Sequence, residues 1–252
     1  MCSVSWLQNN QSLSICFNRD EQISRSKAHP PQPIFKNGVT ILSPTDPDGG
    51  GTWLSVNDYA ITLCLLNLYE FQTINNDPAK PKISRGILVH NLAFCTSLEN
   101  VITVIQQQDL AQFQPFRLLF ISPTEKQELR WDGRNFEQYA LPSFCSSSSV
   151  ETQSVIQQRI EQFAEYHPQD VKAQLNLHQS HYPQKGAYSI CMHRDDATTV
   201  SLSHLFINQN QVIFNYHNGS PCENHSSTTN TLMLNPHTQK HMASLFNNSF
   251  HS

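Results

Sequence analysis

Alternating apolar and polar residues near the beginning of the chain predict a β-hairpin. Apolar residues occupy every second position on both sides of a polar stretch at residues 8–11, namely Val4 and Trp6 before it and Leu13, Ile15 and Phe17 after it. A period of two is typical of a strand with one buried face, and the polar stretch is short enough to form a turn. We therefore expect the second strand of this hairpin to continue into residues 18–21.

Prolines and a continuous apolar run organise the next part of the chain. Pro30, Pro31 and Pro33 predict a loop over residues 24–37, because proline lacks the backbone N–H that a central strand needs. Residues 59–66 are apolar at most positions. This run predicts a central strand that is buried on both faces.

Apolar spacings of three and four residues predict helices in the middle of the chain. Ser84 and Ser97 precede helices expected at residues 85–94 and 98–107, where a serine can cap the first turn. A longer helix is expected at residues 150–166, with a buried face formed by Val155, Ile156, Ile160 and Phe163. Further strands are predicted at residues 116–121, 127–131, 136–141, 188–193, 198–207 and 212–216.

The order of these elements indicates the fold class. Strands come first, followed by helices, strands, helices and strands again, which favours antiparallel sheets covered by helices over a βαβ alternation. We expect an α+β fold that forms a single domain over residues 1–223. Residues 224–252 are mostly polar, and they predict a weakly ordered C-terminal extension with room for one short helix.

The composition argues against several classes of partner. The chain has 252 residues, a net charge of −4 and no cluster of lysine and arginine. Neither a nucleic acid nor an anionic membrane surface is therefore an expected partner. No apolar stretch is long enough to span a bilayer, and the N-terminus lacks the features of a secretory signal. These observations predict a soluble, cytoplasmic protein and leave its oligomeric state open.

Seven cysteines are spread along the chain, and their spacing predicts neither disulfides nor a metal site. Their number is odd and no CxxC pair is present, so a disulfide framework and a structural zinc site are both unexpected. His193 and Asp195 have side chains that bind metals, but such residues more often end a strand, which is the interpretation we favour. We expect no metal and no resident cofactor.

Cys2 is the cysteine whose position suggests chemistry. A residue as small as cysteine permits the removal of Met1, which would leave Cys2 with both a thiol and a free α-amine. The thiol titrates at ~8.5 and the amine at ~7.7–8.0, so the amine can accept the thiol proton. One residue then supplies both nucleophile and base. The alternative is that a cysteine at this position is accidental.

Three polar residues at strand ends are candidates to assist Cys2. Arg19 and Asp20 end the second strand of the hairpin, which places them beside Cys2. Arg19 would lower the pKa of the thiol, and Asp20 would orient the α-amine. Asn67 follows the buried strand and would donate a hydrogen bond to an oxyanion. Alternatively, Arg19 and Asp20 form a surface ion-pair cluster, and Asn67 forms a turn.

Several short motifs along residues 1–222 are specific as a set, although none is specific alone. They are Met1-Cys2, Phe17-Asn18-Arg19-Asp20-Glu21, Gly50-Gly51-Thr52-Trp53-Leu54-Ser55-Val56-Asn57, Leu65-Leu66-Asn67, Ser84-Arg85-Gly86, Cys191-Met192-His193-Arg194-Asp195, Thr198-Thr199-Val200-Ser201 and Gly219-Ser220-Pro221-Cys222. In this order they resemble the NRDE family, which includes the eukaryotic transport and Golgi organisation proteins. The last three motifs resemble the C-terminal part of one bacterial branch of that family.

The resemblance implies a four-layer αββα fold of the N-terminal-nucleophile hydrolase type, similar to choloylglycine hydrolases and penicillin V acylases. In that group an N-terminal cysteine attacks an amide. Carried over to this chain, Cys2 is the nucleophile, Arg19 and Asp20 are its helpers, and Asn67 supports the oxyanion. The implied ligand is a small-molecule amide or acyl compound, cleaved at a non-peptide carbon–nitrogen bond.

The chain departs from the family pattern at one position. Many members have a Ser-Asn pair after the strand that corresponds to residues 136–141, whereas this chain has Ser143 and Ser146 in that region. A second amide for the oxyanion is therefore not evident, and one of these serines would have to substitute for it.

Two other functions remain open at the level of sequence. Some family members are linked with haem movement and with lipid metabolism, so the alternative is a non-enzymatic protein that binds or moves haem or an acyl or lipid ligand. A weaker alternative is an adaptor that recruits a partner through the polar extension.

Overall fold

Two antiparallel β-sheets that pack face to face form the centre of the molecule. The computed structural model describes residues 2–71, 83–223 and 226–247. In chain order the strands are β1 (Cys2–Gln8), β2 (Leu13–Gln22), β3 (His29–Lys36), β4 (Val39–Thr45), β5 (Leu54–Asn57), β6 (Thr62–Asn67), β7 (Phe116–Ile121), β8 (Lys126–Trp131), β9 (Phe136–Ala140), β10 (Phe144–Ser147), β11 (Ala197–Ile207), β12 (Gln211–Asn218) and β13 (Ser227–Met233).

The strands divide into a six-stranded and a seven-stranded sheet. The first has the spatial order β10-β1-β2-β11-β12-β13, and the second runs from β3 to β9 in sequence order. The inner faces of both sheets are apolar and share one core, to which Phe17, Leu54 and Leu119 contribute. Burial of these side chains between the sheets is the main stabilising contribution to the arrangement.

Helices cover the outer faces of both sheets. In chain order they are α1 (Arg85–Leu92), α2 (Leu98–Gln106), α3 (Thr152–Tyr166), α4 (Val171–His178) and α5 (Pro236–Asn247). Helices α3 and α4 pack on β10, β1 and β2, whereas α1 packs on β5, β6 and α2. The expected four-layer αββα arrangement is therefore present. None of the helices in the described part of the chain is long and apolar enough to cross a bilayer.

The predicted N-terminal hairpin is confirmed, and its register positions Cys2. Strands β1 and β2 pair from Gln8 and Leu13 at the turn to Cys2 and Arg19 at the open end. Strand β10 pairs with β1 on its other side. Cys2 therefore begins an internal strand of the sheet and has Arg19 as its direct cross-strand neighbour.

The loop predicted over residues 24–37 is wrong, because most of this segment forms β3. Strand β3 lies at the edge of its sheet and, among the described strands, pairs with β4 alone. Its register shifts between His29 and Gln32. Prolines are compatible with a strand at a sheet edge or bulge, where the missing N–H is not needed.

The buried face of α3 differs from the predicted one. Helix α3 buries Val155, Arg159 and Gln162, whereas Ile160 is 41% exposed. The outer face of the first sheet explains the difference, because it presents polar side chains to α3. Ser3 and Asp20 lie on this face, and both contact Arg159. Buried polar groups of this kind need polar partners.

The strand predicted at residues 188–193 is also wrong. The backbone N–H of Cys191 donates to the carbonyl of Ser180, and the hydroxyl of Ser189 bonds to the carbonyls of Gly186 and Cys191. The segment at residues 179–196 therefore forms an irregular loop over the end of the sheet.

The C-terminal residues contribute more to the fold than the predicted extension at residues 224–252 implies. Strand β13 pairs along its whole length with β12. Helix α5 buries Met242 and Phe246 in the shared core. The polar composition of β13 reflects its place at the sheet edge, where most of its side chains are exposed. The domain therefore continues past the boundary expected at residue 223.

Candidate functional site

All four residues singled out from the sequence line one cavity at the open end of the N-terminal hairpin. The cavity has a volume of about 420 Å³ and is bordered by Cys2, Arg19, Asp20 and Asn67. Sites for small molecules commonly have volumes of about 300–1,000 Å³, so the space suits a small ligand or part of a larger one.

Cys2 is held from both neighbouring strands. Its backbone nitrogen donates to Ser147 Oγ at 3.1 Å, and its carbonyl accepts from Ser146 Oγ at 3.2 Å. Burial raises the pKa of the Cys2 thiol to about 11, although the charge of Arg19 acts in the opposite direction. The thiol is therefore protonated near neutral pH, and it needs a base if it is to act as a nucleophile. Met1 lies outside the described residues.

Arg19 points into the space between the sheets and carries a positive charge into the cavity wall. Its guanidinium lies 4.1 Å from the centre of the Trp53 ring. It also forms ion pairs with Glu21 at 3.3 Å and with Asp46 at 3.4 Å. Stacking on an indole and pairing with two carboxylates fix the guanidinium in place.

Asp20 borders the cavity, but its carboxylate is bound on the opposite face of the sheet. Neighbouring residues of a strand point to opposite faces, so Asp20 points towards α3 while Arg19 points towards the cavity. Arg159 lies 3.3 Å from the carboxylate, and the hydroxyl of Thr199 donates to it at 2.6 Å. The structure thus brings Asp20 close to Cys2 without aiming its carboxylate at the thiol.

Arg159 is a residue that sequence reasoning missed. It is completely buried, and it donates to Ser3 Oγ at 3.1 Å, to Ser146 Oγ at 3.2 Å and to the carbonyl of Ala187 at 2.8 Å. These bonds and the ion pair with Asp20 join α3 to β1, β2, β10 and the loop before β11. An arginine within a polar helix gives no sequence signal that it is buried.

Asn67 stands at the end of β6, as predicted, and its side chain reaches the cavity. Its amide donates to the hydroxyl of Tyr69 at 2.8 Å. Arg85, at the start of α1, borders the same cavity and donates to the carbonyl of Pro115 at 2.9 Å. Burial lowers the pKa of the Arg85 guanidinium. The Ser84-Arg85-Gly86 motif is the sequence feature from which Arg85 could have been predicted as a second arginine of the cavity.

The two serines considered as substitutes for a second oxyanion amide do not border the cavity. Ser146 uses its hydroxyl to bind Ser3, Arg159 and the carbonyl of Cys2. The carbonyl of Ser143 accepts from the backbone of Trp6, at the far end of β1. The neighbouring Ser147, which sequence reasoning did not select, is the serine that contacts the Cys2 nitrogen.

Two glycines bring α1 against the cavity wall. A side chain at Gly51 would place its Cβ 2.1 Å from the backbone carbon of Gly86 and 2.4 Å from the nitrogen of Ile87. The carbonyl of Gly86 accepts from the N–H of Thr52 at 3.0 Å. Both positions border the cavity. Contact between two backbones at this distance requires glycine.

Comparison with protein families identifies a match over nearly the whole chain. A family model described as Transport and Golgi organisation 2 matches residues 1–243. No curated protein matches the sequence significantly.

Solved structures of hydrolases have the same fold. The Caenorhabditis elegans ortholog of N-acylethanolamine-hydrolyzing acid amidase has a TM-score of 0.54 and 12% identity, over 81% of this chain and 92% of that one. Penicillin V acylase from Agrobacterium tumefaciens has a TM-score of 0.53 and 9% identity, over 91% and 85%. A mutant conjugated bile acid hydrolase from Clostridium perfringens has a TM-score of 0.53 and 11% identity, over 93% of each chain. At this identity the similarity concerns the fold, which is that of N-terminal-nucleophile hydrolases, as expected.

Proposed function

This chain belongs to the Transport and Golgi organisation 2 family, and from that premise we propose that it is a cysteine hydrolase that cleaves a non-peptide amide bond in a small molecule. The observation that carries the proposal is the common cavity of about 420 Å³, which has Cys2, Arg19 and Asn67 in its wall. A thiol, a cation and an amide donor around a space of this size are the groups that acyl transfer to sulfur needs.

The proposed mechanism requires Cys2 to become the first residue of the mature chain. Its backbone nitrogen would then be an α-amine, with Ser147 Oγ at 3.1 Å as a hydrogen-bond partner. A hydrogen bond from the amine to this hydroxyl orients the nitrogen and leaves its lone pair for the thiol proton. Because burial keeps the thiol protonated near neutral pH, an attached base is the most direct means of activation.

Acylation begins when the Cys2 sulfur attacks the amide carbonyl carbon of the bound substrate. The α-amine accepts the thiol proton, and the carbonyl oxygen becomes an oxyanion. Asn67 donates a hydrogen bond to this oxyanion in place of the bond that it gives to Tyr69. The tetrahedral intermediate then collapses, the carbon–nitrogen bond breaks, and the ammonium group returns its proton to the leaving amine.

Deacylation repeats these steps with water. The α-amine accepts a proton from water, whose oxygen attacks the thioester carbon, and the same amide stabilises the second oxyanion. The carbon–sulfur bond breaks and the sulfur recovers the proton. The products are a carboxylic acid and an amine, and the enzyme returns to its initial state.

Arg19 and Asp20 have different roles in this proposal. Arg19 is held over Trp53 by stacking, and its positive charge favours the thiolate that forms during attack. Asp20 is a positioning residue. Its carboxylate is fixed by Arg159 and Thr199, and its negative charge favours the ammonium form of the neighbouring α-amine after the proton has moved.

The experiment that tests the proposal is acylation of the purified protein by a β-lactone probe. Intact mass would first establish whether Cys2 is N-terminal. We then expect one label per chain, mapped to Cys2 rather than to Cys222, the other partly exposed thiol, and no such label on Cys2→Ala. A processed, folded protein that the probe does not label at Cys2 would overturn the proposal.

The raised pKa of the Cys2 thiol favours a second candidate function, because a protonated thiol is a weak nucleophile when no base lies next to it. In that case the cavity would hold haem or an acyl compound without reaction. A haem titration separates the two functions. A one-to-one spectral change in the wild type that is lost in Cys2→Ala, together with no β-lactone labelling, would favour the binding protein.

A further inference from the structure

A second group of reactive side chains lies at the end of the first sheet, apart from the residues that line the cavity. It consists of His181, Cys191, His193 and Cys222, whose nearest ligand atoms all lie within 4.8 Å of one another. His181 follows α4, Cys191 and His193 belong to the irregular loop before β11, and Cys222 follows β12. We propose that these four residues form a structural Zn²⁺ site.

The two distances from His193 to the sulfurs match those of a tetrahedral site. His193 Nε2 lies 3.3 Å from Cys222 Sγ and 3.5 Å from Cys191 Sγ. Four ligands on Zn²⁺, with bonds of about 2.0–2.3 Å, are about 3.3–3.8 Å from one another in a tetrahedron. His193 Nε2 is therefore already at the spacing from both sulfurs that the metal imposes, and the four ligand atoms all lie within 4.8 Å of one another.

The contacts of the Thr198 hydroxyl bear on which ring nitrogen of His193 has a lone pair for a metal. The hydroxyl of Thr198 donates its proton to the carbonyl of Met192 at 3.0 Å and lies 3.2 Å from His193 Nδ1. When the hydroxyl proton goes to the Met192 carbonyl, Nδ1 carries a hydrogen and donates it to the hydroxyl. The lone pair of a neutral His193 is then on Nε2, which faces both sulfurs. An outer partner that fixes the tautomer in this way is a usual feature of zinc-bound histidines.

His181 supplies an independent observation. Its ring packs edge-on against that of His193, with 5.1 Å between the centroids. Within the part of the chain that the structure describes, its Nε2 atom is buried and has no hydrogen-bond partner. A buried imidazole nitrogen without a partner is costly, and coordination to a metal removes that cost.

The donor set selects the metal. Two thiolates and two imidazoles suit Zn²⁺, which prefers four-coordinate sulfur and nitrogen sites. Binding releases one proton from each thiol to solvent, so the complex of Zn²⁺ with two thiolates and two neutral histidines has no net charge. Four protein ligands leave no position for a substrate, and this closed arrangement is typical of a structural site.

The absence of a CxxC pair was the reason for expecting no zinc site from the sequence. Three of the ligands come instead from the loop at residues 179–196, and the fold brings Cys222, which follows β12, next to them. A metal here would fasten the loop at residues 179–196 to the end of β12. That loop holds Arg159 through the carbonyl of Ala187, and Thr199 near its end binds Asp20. The zinc site would therefore support the outer face of the sheet behind Cys2.

The test is metal analysis of the full-length chain prepared without a histidine tag and kept reduced. We expect one zinc per chain by plasma mass spectrometry, and at least a tenfold loss of bound zinc in Cys222→Ser and His181→Gln. Cys95→Ala and His29→Gln remove the same residue types outside the group and should retain the metal.

Cobalt provides a readout that does not depend on how the variants fold. After chelation of the wild type, titration with Co²⁺ should produce the visible bands of a tetrahedral ion and a sulfur-to-metal charge-transfer band, and Zn²⁺ should abolish both. Chelation should also lower the melting temperature by several degrees. The proposal is overturned if the reduced wild type binds neither metal, or if peptide mapping finds Cys191 and Cys222 joined in a disulfide in the freshly purified protein.

Discussion

The guanidinium of Arg159 lies 3.3 Å from the carboxylate of Asp20, and neither side chain is exposed to solvent. The two residues are 139 positions apart, and the pair joins α3 to the strand that borders the cavity. A buried pair costs desolvation energy, and it is retained in a stable fold only if additional hydrogen bonds satisfy both groups. Thr199 donates to the carboxylate, and the guanidinium donates to Ser3, Ser146 and Ala187, which leaves its Nε as the one atom of the pair without a partner among the described residues.

Removal of one member of this pair should destabilise the protein strongly. Arg159→Met leaves the Asp20 carboxylate buried without its cation, and we expect a loss of about 3–5 kcal/mol in the free energy of unfolding. Urea denaturation followed by circular dichroism measures this loss. The control is the pair of Arg194 and Asp196, whose carboxylate is 62% exposed and therefore well solvated. Arg194→Gln should cost no more than about 1 kcal/mol, and equal losses in the two variants would contradict the assignment.

The second prediction concerns pH and the buried histidines. Burial lowers the pKa of His178 to about 3 and that of His204 to about 4, from an ordinary value of 6.5. At pH values between the folded-state pKa and the unfolded-state pKa of these histidines, the unfolded chain binds more protons than the folded chain. Their contribution to the free energy of unfolding is therefore complete above pH 6.5 and falls as the pH decreases. Each histidine contributes up to about 1.4 kcal/mol per pH unit in that window.

Urea unfolding between pH 6.5 and 4 tests this dependence. His204→Gln should lose less stability over the window than the wild type does, by up to about 1.4 kcal/mol per pH unit. His29→Gln removes an exposed histidine and should leave the slope unchanged. An unaltered slope in His204→Gln would mean that His204 is charged in the folded state.

The third prediction concerns the contact between Gly51 and Gly86. Because a Cβ at Gly51 would overlap the backbone of Gly86, we expect Gly51→Ala to cost about 3 kcal/mol, at the upper end of the range for overpacking. It should also slow β-lactone labelling of Cys2, since α1 would move away from the cavity. A Cβ at Gly186 has its nearest neighbour at 4.0 Å, so Gly186→Ala is the matched control and should behave as the wild type.

The fourth prediction depends on the proposed hydrolase function. Asn67→Ala removes the proposed oxyanion donor, and the rate of Cys2 acylation by a β-lactone should fall by about 10²–10³. Asn10→Ala changes the same residue type in the exposed turn between β1 and β2 and should have no effect. If Asn67→Ala is labelled as quickly as the wild type, Asn67 is a turn residue and the oxyanion donor lies elsewhere.

Local pattern was enough to predict the N-terminal hairpin and the proximity of Cys2 to Arg19. A turn between Gln8 and Leu13 fixes the register, and the register then pairs these two residues. The placement of Asn67 in the cavity followed from its position at the end of a buried strand. These relationships depend on periods of two residues and on short chain separations, which a sequence displays directly.

Contacts between distant segments were not predictable in the same way. Arg159 and Gln162 form part of the buried face of α3 because the sheet beneath is polar, and no periodicity in the helix itself reveals that. The proposed zinc ligands come from the loop at residues 179–196 and from the segment after β12, and their spacing is not that of a known motif. The prolines of β3 led to the prediction of a loop, because the sequence does not show which strand lies at a sheet edge.

The prolines at the edge of the seven-stranded sheet also affect how copies of the protein meet. Successive backbone N–H groups of a strand point to opposite sides, so Pro30, Pro31 and Pro33 together remove at least one N–H group from the open side of β3, where a strand from another molecule would have to pair. Edge strands with a full set of free groups promote strand addition and aggregation. The segment whose composition resembles a loop therefore limits growth of this sheet at β3 and protects that edge from self-association.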